Sequence, residues 1–464
     1  MASETSKVCA VIPINRSDMN VESAHSAIVR TYELFNPRKF VILKAKFNEK
    51  LLLQGEPLRD LLDGLKRANV DVKEKDLTGV TSFQGFKSTV EGETQDCGKV
   101  YLVPTPGANI TAVYLTLLYN QDTMKYVLVN YVFGFGAWYH LYYPFVPRPL
   151  EGLETVPDLG DKIKPNWNLL SNLRRTFEDQ LSSVSSSFIG SVSYYVMELN
   201  RRGDGRGYEL RVDQDKVLDT TNFELGSLRR NLGDRFVNSM DACVNGNRGN
   251  NRQSDWLDQL LSLSGAYELE VEKETENNRV KEPLSNYSDE KVVIDTNAIY
   301  YGIHTYELKH LIVPYCVYNE LMLASSKGGP TSVQRSFSAG LDGVLGELAL
   351  DLAFYLSPSL VPTQSLQCDV AIPRIDPDLI RDSVVITADN KALMLWKRKT
   401  MSKYTTIMRL IKTNNPKRSP GDRMMSIASL AVSLSRVLDY CNYKYDIELC
   451  WEGIDTCVKV EPRP

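Results

Sequence analysis

Three acidic residues in the last third of the chain follow apolar segments. Asp295 comes directly after the run 291–294, Glu320 lies on a helical segment that begins after Pro314, and Asp389 comes just after the run 383–386. Carboxylates at neighbouring strand ends repel one another unless a cation neutralises them. Their oxygens suit Mg²⁺ or Mn²⁺, which lowers the pKa of a bound water and stabilises a phosphodiester transition state. The three acids therefore predict a divalent-metal site, and capping of a helix is the alternative for each one alone.

The clearest charge feature follows Asp389 directly. Residues 391–420 carry nine basic side chains and no acidic one. This local excess beside an acidic site predicts contact with a phosphate backbone, and a solvated helix face is the alternative. Trp396 and Tyr404 lie within the segment and are predicted to stack on unpaired bases. The residues assigned to RNA contact are Lys391, Lys397, Arg398, Lys399 and Lys403.

Two polar turns near the start of the chain each lead from a strand-like run into a helix. Residues 13–18 follow the run 8–12, and residues 104–111 follow the run 99–103. Backbone N–H groups at helix N-termini face an anion and small residues allow its close approach, so the turns predict a cradle for a phosphorylated ligand. Neither turn has the pattern GxGxxG or GxxxxGKS, which disfavours a nicotinamide or ATP site. Ordinary capped turns are the alternative.

Strands and helices must position these residues, and the chain alternates the two at both ends. Apolar runs separated by helical segments are typical of parallel sheets covered on both faces. The middle of the chain has helical segments, and its charged stretch 268–282 is interpreted as a linker or an exposed helix. We predict an α/β fold: a doubly wound Rossmann-like sheet over 1–150, a helical connector over 151–286, and a second α/β domain over 287–464.

Composition sets the limits of this interpretation. The 464 residues correspond to about three domains, and 43% hydrophobic with 24% charged residues excludes wholesale disorder. A net charge of −4 excludes a uniformly basic coat for nucleic acid. Eight scattered cysteines without a CxxC pair disfavour structural zinc and predict buried thiols in a reducing compartment. The uncharged stretch 126–147 is interpreted as a buried strand and an aromatic loop, so a cytoplasmic protein without membrane contact is expected.

The paired turns resemble those of the CRISPR-associated Rossmann-fold (CARF) sensor domain, over roughly residues 7–150. That family has a small-residue turn after strand one and a turn like Thr-Gly-Gly-Thr after strand four. Here the second turn is Thr-Pro-Gly-Ala-Asn at 105–109. The resemblance implies a homodimer that binds a cyclic oligoadenylate across its two-fold axis. It assigns the pocket to Asn15, Arg16, Thr105, Gly107 and Asn109.

The last domain resembles the PilT N-terminal (PIN) nuclease domain, over about 288–455. The family has a strand ending in Asp-Thr-Asn, a Pro…Val…Glu-Leu helix and a strand ending in Thr-x-Asp, which Asp295, Glu320 and Asp389 match. It adds an Asp at the start of a helix shortly before the last strand. Asp342 is preferred for that place on chain order, and Asp422, whose local sequence fits equally well, is the second choice. The resemblance implies that these acids bind Mg²⁺ or Mn²⁺.

Together, these features predict a ligand-activated ribonuclease of type III CRISPR defence. The first domain binds a cyclic oligoadenylate, the connector transmits the change, and the last domain cleaves single-stranded RNA. One alternative is a nucleotide-sensing regulator whose last domain binds RNA or a partner without cleaving. The other is a toxin-type nuclease that is constitutively active.

Overall fold

The structure, a computed structural model, describes residues 7–14, 21–44, 57–105, 107, 109–133, 143, 151–160, 163, 166, 169–170, 172–173, 188–203, 205–245, 256–274, 278–326, 340–356, 360–363 and 367–462. The chain divides into two compact units, residues 1–135 with 140–184 and residues 136–139 with 185–464. The domain boundaries at 150 and 286 stay predictions.

Strands and helices alternate in the first unit. They are β1 (Lys7–Ile14), α1 (Val21–Phe35), β2 (Lys39–Lys44), α2 (Pro57–Arg67), β3 (Asp71–Asp76), α3 (Phe83–Glu93), β4 (Cys97–Leu102), α4 (Asn109–Gln121), β5 (Tyr126–Phe133) and β6 (Glu151–Val156). The sheet has the order β3-β2-β1-β4-β5-β6, and only the β5–β6 pair is antiparallel. The central strands are buried because their side chains are apolar on both faces: Val11, Ile12, Val41 and Ile42 have no exposed surface.

The second unit contains two sheets. Its elements are α5 (Phe188–Arg202), β7 (Tyr208–Val212), β8 (Asp215–Asp219), α6 (Leu225–Asn245), α7 (Trp256–Leu263), β9 (Tyr267–Glu274), β10 (Arg279–Pro283), β11 (Lys291–Ile294), α8 (Thr296–Tyr300), β12 (His310–Pro314), α9 (Tyr315–Ser326), α10 (Gly340–Leu356), β13 (Leu360–Val361), α11 (Cys368–Ala371), α12 (Pro377–Ile380), β14 (Val384–Thr387), α13 (Asn390–Lys397), β15 (Thr406–Pro416), α14 (Pro420–Tyr440), β16 (Ile447–Trp451) and β17 (Cys457–Lys459). The larger sheet has the order β10-β9-β15-β14-β11-β12-β13, and the smaller β17-β16-β7-β8.

The parallel part of the larger sheet positions the predicted acids. β11 pairs in parallel with β12 on one side and with β14 on the other, so the carboxyl ends of these three strands share one edge. The chain leaves β11 and returns on either side of it, which makes this edge the point where ligands bind in open α/β sheets. The prediction of a mixed α/β fold with a Rossmann-like layout is confirmed.

The described residues of the charged stretch 268–282 are extended, and the interpretation of this stretch as a linker or an exposed helix is wrong. It forms β9 and β10, and β9 pairs antiparallel with β15. Tyr267, Leu269 and Val271 are buried while the glutamates between them are more exposed. This two-residue alternation is that of a strand with one buried face, and the density of charge obscured it.

The eight cysteines form four disulfides, so the prediction of buried free thiols is wrong. The pairs are Cys9–Cys97, Cys243–Cys441, Cys316–Cys368 and Cys450–Cys457. Three of them join residues 52 to 198 positions apart, and spacing along the chain does not reveal such partners. The cysteines therefore do not support the prediction of a reducing compartment. Among the described residues, no helix has both the length and the apolar character needed to cross a membrane.

Candidate active site

Asp295 is the most deeply buried of the predicted acids. It follows the buried end of β11 and caps the N-terminus of α8, and 3% of its surface is exposed. Its Oδ1 accepts a hydrogen bond from the backbone N–H of Thr296 at 2.7 Å, and its Oδ2 accepts one from the Thr387 hydroxyl at 2.7 Å. Burial, with smaller contributions from the charges of Glu320 and Asp369, raises the pKa of Asp295 to about 6 against the effect of these two hydrogen bonds.

Glu320 connects α9 to the elements on both sides of it. Its Oε2 accepts a hydrogen bond from the Thr296 hydroxyl, next in the chain to Asp295. Its Oε1 accepts one from the backbone N–H of Cys368 at 2.8 Å. Both carboxylate oxygens are thus oriented by neighbours, one from α8 and one from α11. The glutamate is held beside Asp295, as the sequence predicts.

Asp389 caps α13 at the end of β14. Its Oδ1 accepts hydrogen bonds from the backbone N–H groups of Lys391 and Ala392, at 2.6 and 3.4 Å. Its own N–H donates to the Thr387 hydroxyl oxygen at 3.0 Å, and that hydroxyl donates to Asp295. Thr387 therefore couples the two aspartates. The helix-capping alternative is confirmed for Asp389, and its role in a metal site stays a prediction.

A fourth acid, Asp369, joins the site although the sequence did not single it out. It lies on α11, and burial raises the pKa of its carboxyl, with further increases from Asp389 and Glu320 and an opposing effect of Lys391. The Trp396 indole donates to its backbone oxygen at 3.0 Å. Asp369 precedes Asp389 by 20 positions at the start of a helix, which is the place that the PIN pattern reserves for an acid. That position was the signal that could have found it.

The two residues predicted from the sequence to be the fourth acid are Asp342 and Asp422. Asp422 lies elsewhere in the second unit, and the side chain of Asp342 is not among those that the structure describes. Asp422 is in the first turn of α14, where burial raises its pKa, Lys417 opposes the rise and Glu268 adds to it. None of these neighbours belongs to the Asp295 cluster. The backbone of Asp342 lies in α10, but its side chain is outside the described residues.

A disulfide ties together the helices that carry two of the acids. Cys316 lies one turn before Glu320 on α9, and its partner Cys368 directly precedes Asp369. Ligand atoms of Asp295, Glu320 and Cys368 lie within 4.8 Å of one another. Because the sulfur of Cys368 is in a disulfide, the available donors are carboxylate oxygens. Such a donor set fits Mg²⁺ or Mn²⁺, whereas zinc and other softer ions prefer sulfur and nitrogen.

In the first unit, the described residues of the predicted ligand pocket follow β4. Thr105 is held by contacts of its hydroxyl with Asn130 Oδ1 at 2.9 Å and with the backbone oxygen of Tyr131 at 3.1 Å. Gly107 packs so closely that a Cβ there would lie 2.5 Å from a side-chain carbon of Pro13, at the end of β1. Asn109 begins α4 and is exposed. Asn15 and Arg16 lie outside the described residues.

Comparisons with known proteins give little further information. No family model matches the chain, and no curated protein matches it. Among solved structures, Enterococcus italicus Csm6 bound to cyclic hexa-2'-fluoro-hexa-dAMP is similar over 27% of this chain and 34% of that chain, with 16% identity and a TM-score of 0.21. The match spans about a third of that chain, and a score this low supports no argument.

The basic segment is divided between exposed and internally paired side chains. Lys391, Arg398, Lys399 and Lys403 are exposed, while Lys397 forms an ion pair with Glu274 at 2.6 Å. Beyond the residues assigned to RNA, Lys412 pairs with Asp258 and Lys417 is buried. Trp396 has no exposed surface, so the prediction that it stacks on bases is wrong. Its indole packs in the core beneath α11 and supports Asp369. Tyr404 is half-buried.

Proposed function

We propose that the second unit is a metal-dependent phosphodiester hydrolase that cleaves single-stranded RNA. The observation that carries the proposal is the convergence of Asp295, Glu320, Asp369 and Asp389 at the edge where β11, β12 and β14 end. Purely structural acids are expected to pair with lysine or arginine. Here burial and the neighbouring carboxylates raise the pKa of both Asp295 and Asp369, and a divalent cation would relieve this repulsion.

Each residue has a defined task in this proposal. Asp295 and Glu320 would hold a Mg²⁺ or Mn²⁺ ion, because their oxygens are fixed by hydrogen bonds from Thr296, Thr387 and Cys368. The ion would supply a bound water of lowered pKa and neutralise charge on the scissile phosphate. Asp389 and Asp369 would orient the attacking water and complete the charge of the site.

The RNA strand would approach along the exposed part of the basic segment. Lys391 lies directly beside the acids, and Arg398, Lys399 and Lys403 are exposed on the turns after α13. Neutralisation of phosphates by such side chains supplies affinity without sequence preference. The proposed substrate is single-stranded RNA, whose unpaired bases are available for contacts with other parts of the protein.

For the first unit we propose binding of a cyclic oligoadenylate by a homodimer. β1 is the strand at which the sheet order reverses, and the turn containing Thr105 and Gly107 follows its neighbour β4. Ligands of doubly wound sheets bind at this position. The close approach of Gly107 to Pro13 keeps the turn free of side-chain bulk beside the backbone, which suits a phosphate.

Cleavage of labelled RNA by the full chain tests the proposal. We expect cleavage with Mn²⁺ and cyclic tetra- or hexa-adenylate, no cleavage in EDTA, and loss of at least a hundredfold in rate for Asp295→Ala. Asp289→Asn, which alters an exposed aspartate paired with Lys309, serves as the control and is expected to cleave at the wild-type rate.

The outcomes separate the alternatives. Cleavage at the same rate without the cyclic ligand would support a constitutive nuclease. Absence of cleavage under every condition, with RNA still bound, would support a regulator that does not cut. Full activity of Asp295→Ala would refute the metal site.

A further inference from the structure

A cavity of about 520 Å³ lies in the second unit beside the acidic site. α7, α8, α9, α10 and β15 surround it, and none of its residues has a role in the proposed hydrolysis. Its volume lies in the range of sites that enclose a small organic group. Its lining includes Asp258, Gln259, Asn297, Tyr300, Tyr301 and Lys412.

The same two helices that carry metal-site acids also line the cavity. Asn297, two positions after Asp295, contributes from α8. Ala324 contributes from α9 and lies one turn after Glu320, hence on the same side of that helix. One turn advances along the helix by about 6 Å. A phosphate held at the acids would therefore place its own nucleoside, or the adjacent one, within reach of the cavity.

The charges of the cavity wall compensate each other. Lys412 Nζ lies 2.6 Å from Asp258 Oδ2 and donates to the Ser262 hydroxyl oxygen at 3.0 Å. Asp258 Oδ1 accepts from the Tyr267 hydroxyl at 2.8 Å. A phosphate entering the cavity would have to compete with Asp258 for the lysine. The wall is better suited to a neutral polar group.

The remaining lining is typical of a site for a base. Tyr300 and Tyr301 supply half-buried aromatic rings, and bases stack on such rings. Gln259 and Asn297 supply amide side chains, which within the described part of the chain make no hydrogen bond. An amide that both donates and accepts matches the N7 acceptor and the N6 donor on the major-groove edge of adenine, an edge on which uracil offers only the O4 acceptor.

We infer that this cavity binds a nucleobase of the RNA substrate, with adenine preferred, next to the phosphate that is cleaved. The inference rests on the proposed function for the identity of the strand, but base binding itself requires no metal and no cleavage. The cavity would thus supply the base selectivity that the backbone contacts lack.

Fluorescence anisotropy of the full chain with labelled oligoadenylate and oligouridylate, in EDTA, tests the inference. We expect the wild-type protein to bind oligoadenylate about tenfold more tightly, which lies in the lower half of the discrimination that a bidentate amide provides. Gln259→Ala and Asn297→Ala should each reduce the preference to about twofold or less. Asn414→Ala, an exposed amide of β15 outside the cavity, should retain it.

Two results would overturn the inference. One is equal binding of both RNAs by the wild-type protein. The other is a tenfold preference for oligoadenylate that persists in Gln259→Ala. This variant is expected to fold even if Asn297→Ala does not, because Gln259 is half-exposed. Binding of oligoadenylate by the first unit would produce such a persistent preference. Mn²⁺-dependent cleavage is scored separately. Cleavage without base preference contradicts the cavity alone, and base preference without cleavage contradicts the hydrolase alone.

Discussion

Replacing Asp295 by asparagine is expected to stabilise the protein while removing its metal site. Burial raises the pKa of Asp295 from 3.8 to about 6, and one pKa unit corresponds to about 1.4 kcal/mol. At pH 7.5, the ionised carboxylate therefore costs the folded state about 3 kcal/mol. Asparagine has nearly the same shape and carries no charge, so the variant avoids this cost.

The hydrogen bonds around position 295 reduce the gain in stability that is expected for Asp295→Asn. Asparagine Oδ1 can still accept from the Thr296 N–H, and its amide can donate to the Thr387 oxygen. The Thr387 hydroxyl proton, however, loses its acceptor, which costs about 1 kcal/mol. We therefore expect the free energy of unfolding to rise by about 2 kcal/mol at pH 7.5.

The gain in stability of Asp295→Asn over the wild-type protein must increase with pH. Because the folded-state pKa is raised, the stability contributed by the protonated carboxyl is fully present below pH 3.8 and is lost as the pH rises through about 6. The wild-type protein therefore loses stability relative to Asp295→Asn between those two values. At pH 5 the electrostatic advantage of asparagine falls to roughly half of its value at pH 7.5.

Urea unfolding followed by tryptophan emission measures this effect at pH 7.5 and pH 5, first without divalent metal. Adding Mn²⁺ at a hundred times its dissociation constant should stabilise the wild-type protein by about 2.7 kcal/mol and leave Asp295→Asn unchanged. Asp289→Asn is the matched control, and it should not stabilise at either pH because its exposed carboxylate is favoured by Lys309. A gain of equal size at both pH values, or a folded variant less stable than the wild type at pH 7.5, would refute the reasoning.

Three further changes probe the rest of the site. Asp369→Asn should weaken Mn²⁺ binding about tenfold in calorimetric titration, whereas Asp422→Asn should leave it unchanged. Equal effects of the two variants would contradict the assignment of Asp369 to the metal site. Serine at both Cys316 and Cys368 should also weaken Mn²⁺ binding about tenfold, because α11 then loses its covalent link to α9. The same change in the β16–β17 disulfide should not weaken it. Trp396→Ala should lower the free energy of unfolding by about 3–5 kcal/mol, and a loss of RNA affinity at unchanged stability would instead restore the stacking prediction.

The parts of the fold that the sequence predicts are the strands formed by a nearly uninterrupted run of apolar residues. β1, β11 and β14 consist almost entirely of apolar residues, and a strand buried on both faces needs such a run. Asp295 follows β11 directly, Asp389 lies two residues after the end of β14, and Glu320 lies on a helix preceded by a proline. Their proximity could be predicted because parallel strands bring their carboxyl ends to one edge.

The parts that the sequence did not predict depend on contacts between distant residues. α11 has four residues, too few for a helical period, so only the position of Asp369 shortly before Asp389 indicates that it belongs with the other acids. Trp396 was read as a stacking residue from its basic neighbours, yet packing around its indole determines its role. The disulfide partners Cys316 and Cys368 meet only once α9 and α11 are in place.

The smaller sheet of the second unit affects how the protein is made. Tyr208 of β7 pairs with Trp451 of β16, about 240 positions later. At synthesis rates of about 5–20 residues per second, β7 waits on the order of tens of seconds for its neighbour. During that interval its apolar face is uncovered on the nascent chain, while the sheet of the first unit already has all six strands. A release of the chain shortly before residue 447 would leave β7 and β8 as a hairpin with an open edge, so aggregation is the expected result of premature termination there.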